Sequence, residues 1–164
     1  MNRYHSKVQK VVFSVNKDSG VISKKLRAVN YILVADDDLD DQELIQDALA
    51  DNAIGTDKLR FVNDGEELTR FLADAKTLPS IILLDLNMPR KSGREALDDI
   101  KQNPSFKHIP VVMFTTSDSD IDIKECHMLG CNAYLTKPNN YLDLVGSMKD
   151  LVSFWFFQAQ ILHD

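Results

Sequence analysis

Five side chains suited to phosphoryl and metal chemistry stand at the ends of short apolar runs. Asp36 and Asp37 follow "YILVA", and Asp85 closes "IILLD". Thr115 ends "VVMFT", and Lys137 ends "YLTK". Carboxylates from two separate segments are the hard oxygen ligands that Mg²⁺ prefers. An ammonium and a hydroxyl can offset and hydrogen-bond the negative oxygens of a phosphoryl group.

Asp85 has the placement of a nucleophile. An aspartate beside a metal ion can attack a phosphoryl group and form an aspartyl phosphate. The residues alone leave other readings open: Asp85 could end a strand or enter a turn, and Asp36–Asp38 could cap a helix, where acidic groups are favoured. We expect Asp38, Asp40 and Asp41 to be solvated or to cap that helix rather than to bind metal.

The elements that position these side chains form a repeating pattern. Apolar runs predict strands at 31–35, 58–62, 80–85, 110–115 and 132–136. Helical spacing of apolar residues after each run predicts five helices, and Ile123, Cys126, His127 and Gly130 share one face of the fourth. Such alternation predicts an α/β fold whose parallel sheet has helices on both faces. Active groups in these folds lie at the carboxyl ends of the strands, where the five side chains would converge.

Composition indicates an ordinary globular protein. The chain has 164 residues, of which 44% are hydrophobic and 27% charged, as in most soluble domains. Its longest apolar run, Tyr31 to Ala35, is too short to span a membrane. We see no secretory signal and expect a cytoplasmic location. Cys126 and Cys131 are read as packing groups, and we do not expect a zinc site with His127, because no second ligand pair with the expected spacing is present.

Charge is distributed unevenly along the chain. Residues 1–30 carry seven Lys or Arg and one acidic residue, whereas residues 31–164 carry twelve basic and twenty-four acidic residues. The acidic body argues against nucleic-acid binding, since phosphates would be repelled. The basic segment is either a solvated tail or a contact for an acidic surface, including the body of the same chain.

These motifs resemble the receiver domain of two-component response regulators. The resemblance rests on Asp36–Asp37, "LLDLNMPRKSG", "FTT" and "YLTKP", and spans about residues 31–150. It implies a flavodoxin-like (βα)5 fold, a doubly wound sheet of five parallel strands in the order 2-1-3-4-5. By position, Asp85 would accept the phosphoryl group. Asp36, Asp37 and Asp85 would bind Mg²⁺ together with the main-chain carbonyl of Asn87.

The resemblance also implies a conformational switch. Thr115 and Lys137 would contact the phosphoryl group, and Tyr134 would turn inward as Thr115 moves. Asn87 and Ser117 occupy positions that modulate dephosphorylation. The Lys137–Pro138 peptide bond is expected to be cis. A domain of this kind is not a conventional enzyme, and catalyses only its own phosphorylation and slow self-hydrolysis.

A narrower likeness concerns partners. "DDQELIQDAL", "LNMPRKSGREAL" and the late "FWF" look like stand-alone regulators that partner phytochrome-type histidine kinases. The implied partners are therefore a sensor histidine kinase and a downstream phosphotransfer or effector protein. Regulators of this type lack an output domain, and we expect none, because only about a dozen residues follow the usual end of a receiver domain.

Three segments are expected. Residues 1–29 form a basic extension (hairpin, arm or disordered), residues 30–152 the receiver domain, and residues 153–164 an apolar continuation of the last helix. The aromatic run 154–157 covers more than one helical face. It predicts a homodimer contact, unless the helix folds back on its own core.

Two other functions compete. A Mg²⁺-dependent phosphohydrolase with an aspartate nucleophile needs a second Asp two residues later as acid–base catalyst. Asn87 stands there and cannot protonate a leaving group. An interaction module that kept the fold without the phosphorylation would be favoured if the chain failed to bind Mg²⁺.

Overall fold

The computed structural model describes residues 29–159, and in this part of the chain five strands form one sheet. The strands are β1 (Ile32–Ala35), β2 (Leu59–Val62), β3 (Ile81–Leu84), β4 (Val111–Thr115) and β5 (Ala133–Thr136). The main helices are α1 (Leu39–Asp51), α2 (Gly65–Asp74), α3 (Gly93–Gln102), α4 (Asp120–Met128) and α5 (Tyr141–Val152). All strand pairs are parallel, in the order β2-β1-β3-β4-β5. The predicted flavodoxin-like fold is confirmed.

The core lies on both faces of the sheet. Every residue of β1, β3 and β4 is buried, as expected of central strands that are covered on both sides. One cluster joins alternate strand residues to α1 and α5. The other joins the remaining strand residues to α2, α3 and α4. The site at the strand ends therefore stands on a rigid support.

Polar side chains cap the starts of α1, α2 and α3. Asp38 accepts hydrogen bonds from the main chain at the start of α1, and Asp64 does the same for α2. Ser92 and Glu95 form a reciprocal capping box at α3. Each cap satisfies main-chain N–H groups that a helix leaves unpaired at its first turn.

The fourth helix is shorter than its apolar spacing predicts. It ends at Met128, and only Cys126 of its residues is buried. Gly130 lies beyond the helix with φ of 96°, a left-handed conformation that glycine adopts at little steric cost. Placing Gly130 on a face of this helix was therefore wrong, since the residue belongs to the turn that ends it.

The last helix continues as a π-helical segment, Ser153–Gln158. The Ala159 N–H donates to the Phe154 carbonyl at 2.7 Å. Phe156 is buried, Trp155 and Phe157 pack against the core, and Phe154 is 51% exposed. The aromatic run thus folds back largely on its own domain.

The basic extension predicted for residues 1–29 lies, apart from Val29, outside the described residues, so its three alternatives stay predictions. Between residues 29 and 159, no helix combines the length and apolar character needed to cross a membrane.

Candidate functional site

Three carboxylates meet at the carboxyl edge of the sheet. Asp36 and Asp37 follow β1, and Asp85 follows β3, its neighbour in the sheet. One carboxylate oxygen from each lies within 4.8 Å of the others. Asp36 is 1% exposed and Asp85 9% exposed, whereas Asp37 faces solvent. The sequence-predicted convergence of these three residues is present.

Crowding and burial disfavour the negative charge of Asp36. Burial raises the pKa of Asp36 to about 6, against the opposing hydrogen bond from Lys137, and the nearby Asp85 charge raises it further. A bound cation offsets this kind of repulsion between carboxylates. Three hard oxygen donors, one of them open to solvent, fit a divalent ion that keeps several waters.

Lys137 reaches the same point from the end of β5. Its Nζ lies 2.6 Å from Asp36 Oδ2, 2.7 Å from Asp41 Oδ2 and 3.3 Å from Asp85 Oδ2. Burial lowers the pKa of the Lys137 ammonium, but hydrogen bonds to Asp36 and Asp41 outweigh it, so the pKa is raised overall. Lys137 is therefore a fixed positive charge beside Asp85.

Asp41 is a member of the site that sequence reasoning missed. It was expected to be solvated or capping, and its carboxylate instead binds Lys137. Asp38 is the residue that caps α1. The available signal was the position of Asp41 in the first turn of α1, three residues after the cap and close to the strand ends.

The Asp85 carboxylate is oriented by the main chain around it. Its Oδ1 accepts the Leu86 N–H at 2.7 Å, while its Oδ2 faces Lys137. The Asp85 N–H donates to the Ala35 carbonyl at 2.9 Å, which ties the end of β3 to the end of β1. One oxygen of the Asp85 carboxylate thus accepts a main-chain hydrogen bond, and the other faces the Lys137 ammonium.

The loop after Asp85 is fastened to the start of α2. Arg90 has φ of 62°, unusual for a residue with a side chain, and its guanidinium contacts the buried Asp64 carboxylate. The Gly65 N–H donates to the Lys91 carbonyl at 3.0 Å. Neither contact was predicted. Together they fix the loop that carries Asn87, which is exposed.

The predicted switch residues meet at Ser117. Thr115 is fully buried at the end of β4, and its hydroxyl accepts the Ser117 N–H at 3.4 Å. The Tyr134 hydroxyl donates to the Ser117 carbonyl at 2.9 Å. The Ser117 hydroxyl donates to Asp122 at 2.6 Å. Arg94 on α3 pairs with that same Asp122 carboxylate at 2.6 Å.

One expectation about the backbone is wrong. The described residues contain no cis peptide bond, so Lys137–Pro138 is trans. Trans is the favoured isomer before proline by about 0.5–1 kcal/mol. The Lys137 N–H also donates to the Thr115 carbonyl at 2.7 Å, which continues the sheet pairing to the site.

Comparison with known proteins gives a consistent family. Residues 32–149 match the response regulator receiver domain family. Response regulator Rcp1 of Synechocystis sp. is 40% identical over 129 residues, covering 76% of this chain and 87% of the relative.

Two solved structures of response regulators match this chain over most of its length. The Mn²⁺-bound form of response regulator Rcp1 has a TM-score of 0.74 at 38% identity, covering 81% of this chain and 99% of the other. The phosphorylated cyanobacterial phytochrome response regulator RcpA has a TM-score of 0.75 at 36% identity, covering 81% and 98%.

Proposed function

This chain belongs to the response regulator receiver domain family of two-component signalling, and on that premise we propose that Asp85 accepts the phosphoryl group. One observation carries the proposal: the carboxyl ends of β1, β3 and β5 lie together, so that the Lys137 Nζ is within hydrogen-bond distance of both Asp36 and Asp85. A nucleophilic carboxylate beside a fixed positive charge suits phosphoryl transfer, which depends mainly on positioning and charge neutralisation.

In the proposed reaction, the Asp85 carboxylate attacks the phosphorus of a phosphohistidine. The oxygen–phosphorus bond forms as the phosphorus–nitrogen bond breaks, and the released imidazole takes up a proton. Lys137 offsets the negative charge of the phosphoryl oxygens. Oδ1 of Asp85 stays on the Leu86 N–H, which orients the carboxylate for attack.

The proposed metal is Mg²⁺, held by Asp36, Asp37, Asp85 and the main-chain carbonyl of Asn87. Bound there, it would neutralise part of the charge on the transferring group. The three carboxylates within 4.8 Å support the placement. The Mn²⁺-bound form of Rcp1 supports a divalent ion in a relative.

The proposed switch uses Thr115, Ser117 and Tyr134. A phosphoryl group that binds Thr115 and Lys137 better in one of two conformations shifts the population toward it. The hydrogen bond from the Tyr134 hydroxyl to the Ser117 carbonyl supports this assignment, because Ser117 then contacts both Thr115 and Tyr134. Asn87 and Ser117 are proposed to set the rate of the slow self-hydrolysis.

The proposed partners are a sensor histidine kinase, of the phytochrome type by likeness to RcpA, and a downstream phosphotransfer or effector protein. We place the reaction in the cytoplasm, since Cys126 and Cys131 are free and free thiols are usual in reducing compartments. A phosphohydrolase function is disfavoured because Asn87 cannot act as an acid.

The first test is intact mass after incubation with acetyl phosphate and Mg²⁺. A gain of about 80 Da that requires Mg²⁺ and is absent in Asp85→Asn is the expected result for an aspartyl phosphate. Asp74→Asn, an exposed aspartate on α2, serves as the matched control and should gain the same mass. A gain that persists in Asp85→Asn would overturn the assignment.

A homodimer through the C-terminal region is also proposed. It is supported by exposed apolar side chains there, with Phe154 51% and Leu142 81% exposed. Sedimentation at tens of micromolar, with and without beryllofluoride, should show a dimer that tightens with the phosphoryl mimic. Phe154→Ser should weaken it, and Leu39→Ser, which alters another exposed apolar side chain on α1, should not. A monomer under both conditions would contradict the proposal.

A further inference from the structure

The ammonium of Lys137 is shared by three carboxylates, and one of them has no place in the metal cluster. Asp36 and Asp85 belong to the group whose oxygens lie close enough to hold a cation, whereas Asp41 does not. Yet Asp41 lies 2.7 Å from Lys137 Nζ, nearer than Asp85 at 3.3 Å. Asp41 therefore holds the lysine without contributing to the cation site.

The position of Asp41 is set by its helix. The Asp41 N–H donates to the capping oxygen of Asp38 at 3.3 Å, which fixes the first turn of α1. Lys137 is 9% exposed and Asp41 34% exposed, so the pair lies at the border of the site. The Asp41 carboxylate accepts its hydrogen bond from Lys137.

We propose that Asp41 is a positioning residue that competes with the phosphoryl group on Asp85 for Lys137. This inference rests on the proposed function of Asp85. An ammonium has three N–H donors, and three carboxylates already occupy them. Phosphorylation of Asp85 frees the donor that faces its Oδ2, but that contact is the longest of the three at 3.3 Å, whereas Asp36 and Asp41 hold Nζ at 2.6 and 2.7 Å. A close contact between Nζ and the phosphoryl oxygens therefore requires the lysine to move away from one of these two carboxylates.

Asp41 is the carboxylate that gives way. Asp36 is more deeply buried and lies slightly nearer the ammonium, and it also accepts the Asp38 N–H at 3.0 Å. Asp41 is partly in water, which can solvate its charge when the lysine leaves. The strength of the Asp41–Lys137 pair therefore opposes both formation and persistence of the phosphoryl state.

The experiment compares phosphorylation rates of Asp41→Asn and Asp40→Asn with that of the native chain. Both variants remove one negative charge from the first turn of α1. Asp40 is exposed, however, and among the residues that the structure describes Lys137 pairs with Asp36, Asp41 and Asp85 instead. With acetyl phosphate and saturating Mg²⁺, intact mass followed over time gives the rate. Lifetime is measured after the donor is removed.

We expect Asp41→Asn to gain the phosphoryl group about three- to tenfold faster and to hold it longer, as removal of a competing partly buried ion pair predicts. Asp40→Asn should stay within about twofold of the native rate, since an exposed charge is largely screened. Asp41→Glu, which keeps the charge, should return the rate toward the native value.

Two results would overturn the inference: equal rates for the two Asn variants, or a slower rate for Asp41→Asn. Thermal unfolding of each variant distinguishes a folding defect; if Asp41→Asn does not fold, Asp41→Ser, which also removes the charge, takes its place and must gain the phosphoryl group faster than the native chain. If the native chain itself gains no phosphoryl group, the proposed function of Asp85 fails instead.

Discussion

Gly93 lies directly against the main-chain carbonyl of Asp85. A Cβ added at Gly93 would lie 1.9 Å from the Asp85 oxygen and 2.9 Å from the Leu86 Cα. The Gly93 N–H donates to the Leu86 carbonyl at 2.8 Å. The start of α3 is thus pressed onto the strand end that bears the proposed phosphoacceptor, and only glycine fits there.

Gly93→Ala should therefore destabilise the domain. Its methyl group would meet main chain, which cannot rotate away, so we expect a loss of about 2–3 kcal/mol in the free energy of unfolding. Gly146→Ala is the control, since a Cβ there has nothing within 4 Å and replacing a glycine inside a helix should add about 0.5–1 kcal/mol. Denaturant unfolding measures both. Equal effects of the two substitutions would contradict this reading of the packing.

Arg94 and Asp122 should be energetically coupled to each other, and changes to either should reach Tyr134 through Ser117. A double-mutant cycle with Arg94→Met and Asp122→Asn should give a coupling of about 0.5–1 kcal/mol, because the pair is partly exposed. Each variant should also shift the NMR signals of the Tyr134 ring, since Asp122 holds Ser117 and Ser117 accepts the Tyr134 hydroxyl.

Arg70→Met on the exposed face of α2 is the matched control and should leave the Tyr134 signals unchanged. Additive stability effects together with an unmoved Tyr134 ring would show that the chain of contacts transmits nothing.

The strand-end residues could be predicted from sequence because the carboxyl ends of parallel strands must meet at one edge. Asp36, Asp85 and Lys137 each follow an apolar run, so their proximity required only the strand order. The contact of Asp41 with Lys137 was not predicted because the direction of the Asp41 side chain depends on how α1 is rotated about its axis. Asp38 sets this rotation by capping the helix, and the spacing of apolar residues does not reveal it.

Long-range pairs between loops were also beyond the sequence. Arg90 adopts a left-handed conformation, but no glycine marks this position in the sequence. Asp64 has the sequence features of an ordinary helix cap, so its contact with Arg90 could not be predicted. The aromatic run near the C-terminus covers more than one helical face, and it predicted a dimer contact unless the helix folds back on its own core. Its π-helical winding, which packs Phe156 inward and leaves Phe154 outside, depends on the core that it meets.

Mg²⁺ should stabilise the folded chain. Binding to the native state alone adds about 2.7 kcal/mol at a hundredfold excess over the dissociation constant, which raises the melting temperature by roughly 5–10 °C for a domain of this size. Asp37→Asn should lose most of this gain, since Asp37 is one of the three clustered carboxylates. Asp74→Asn should keep it. An equal rise in both variants would place the ion elsewhere.

The two cysteines should react slowly in the native state. Burial raises the pKa of Cys131 to about 11, with Cys126 adding to the effect, and burial likewise raises the pKa of Cys126. The thiolate is the reactive form, and raising the pKa lowers its fraction at any pH below that value. At pH 8 about one Cys131 in a thousand is then ionised, against roughly a quarter of an ordinary exposed thiol.

Alkylation by iodoacetamide at pH 8 should therefore be slow in buffer and fast in urea. The variants Cys126→Ser and Cys131→Ser each retain one thiol, so the alkylation rate of each cysteine can be measured separately. Complete native-state labelling within minutes would show that the thiols are accessible and that the packing around α4 is looser than described.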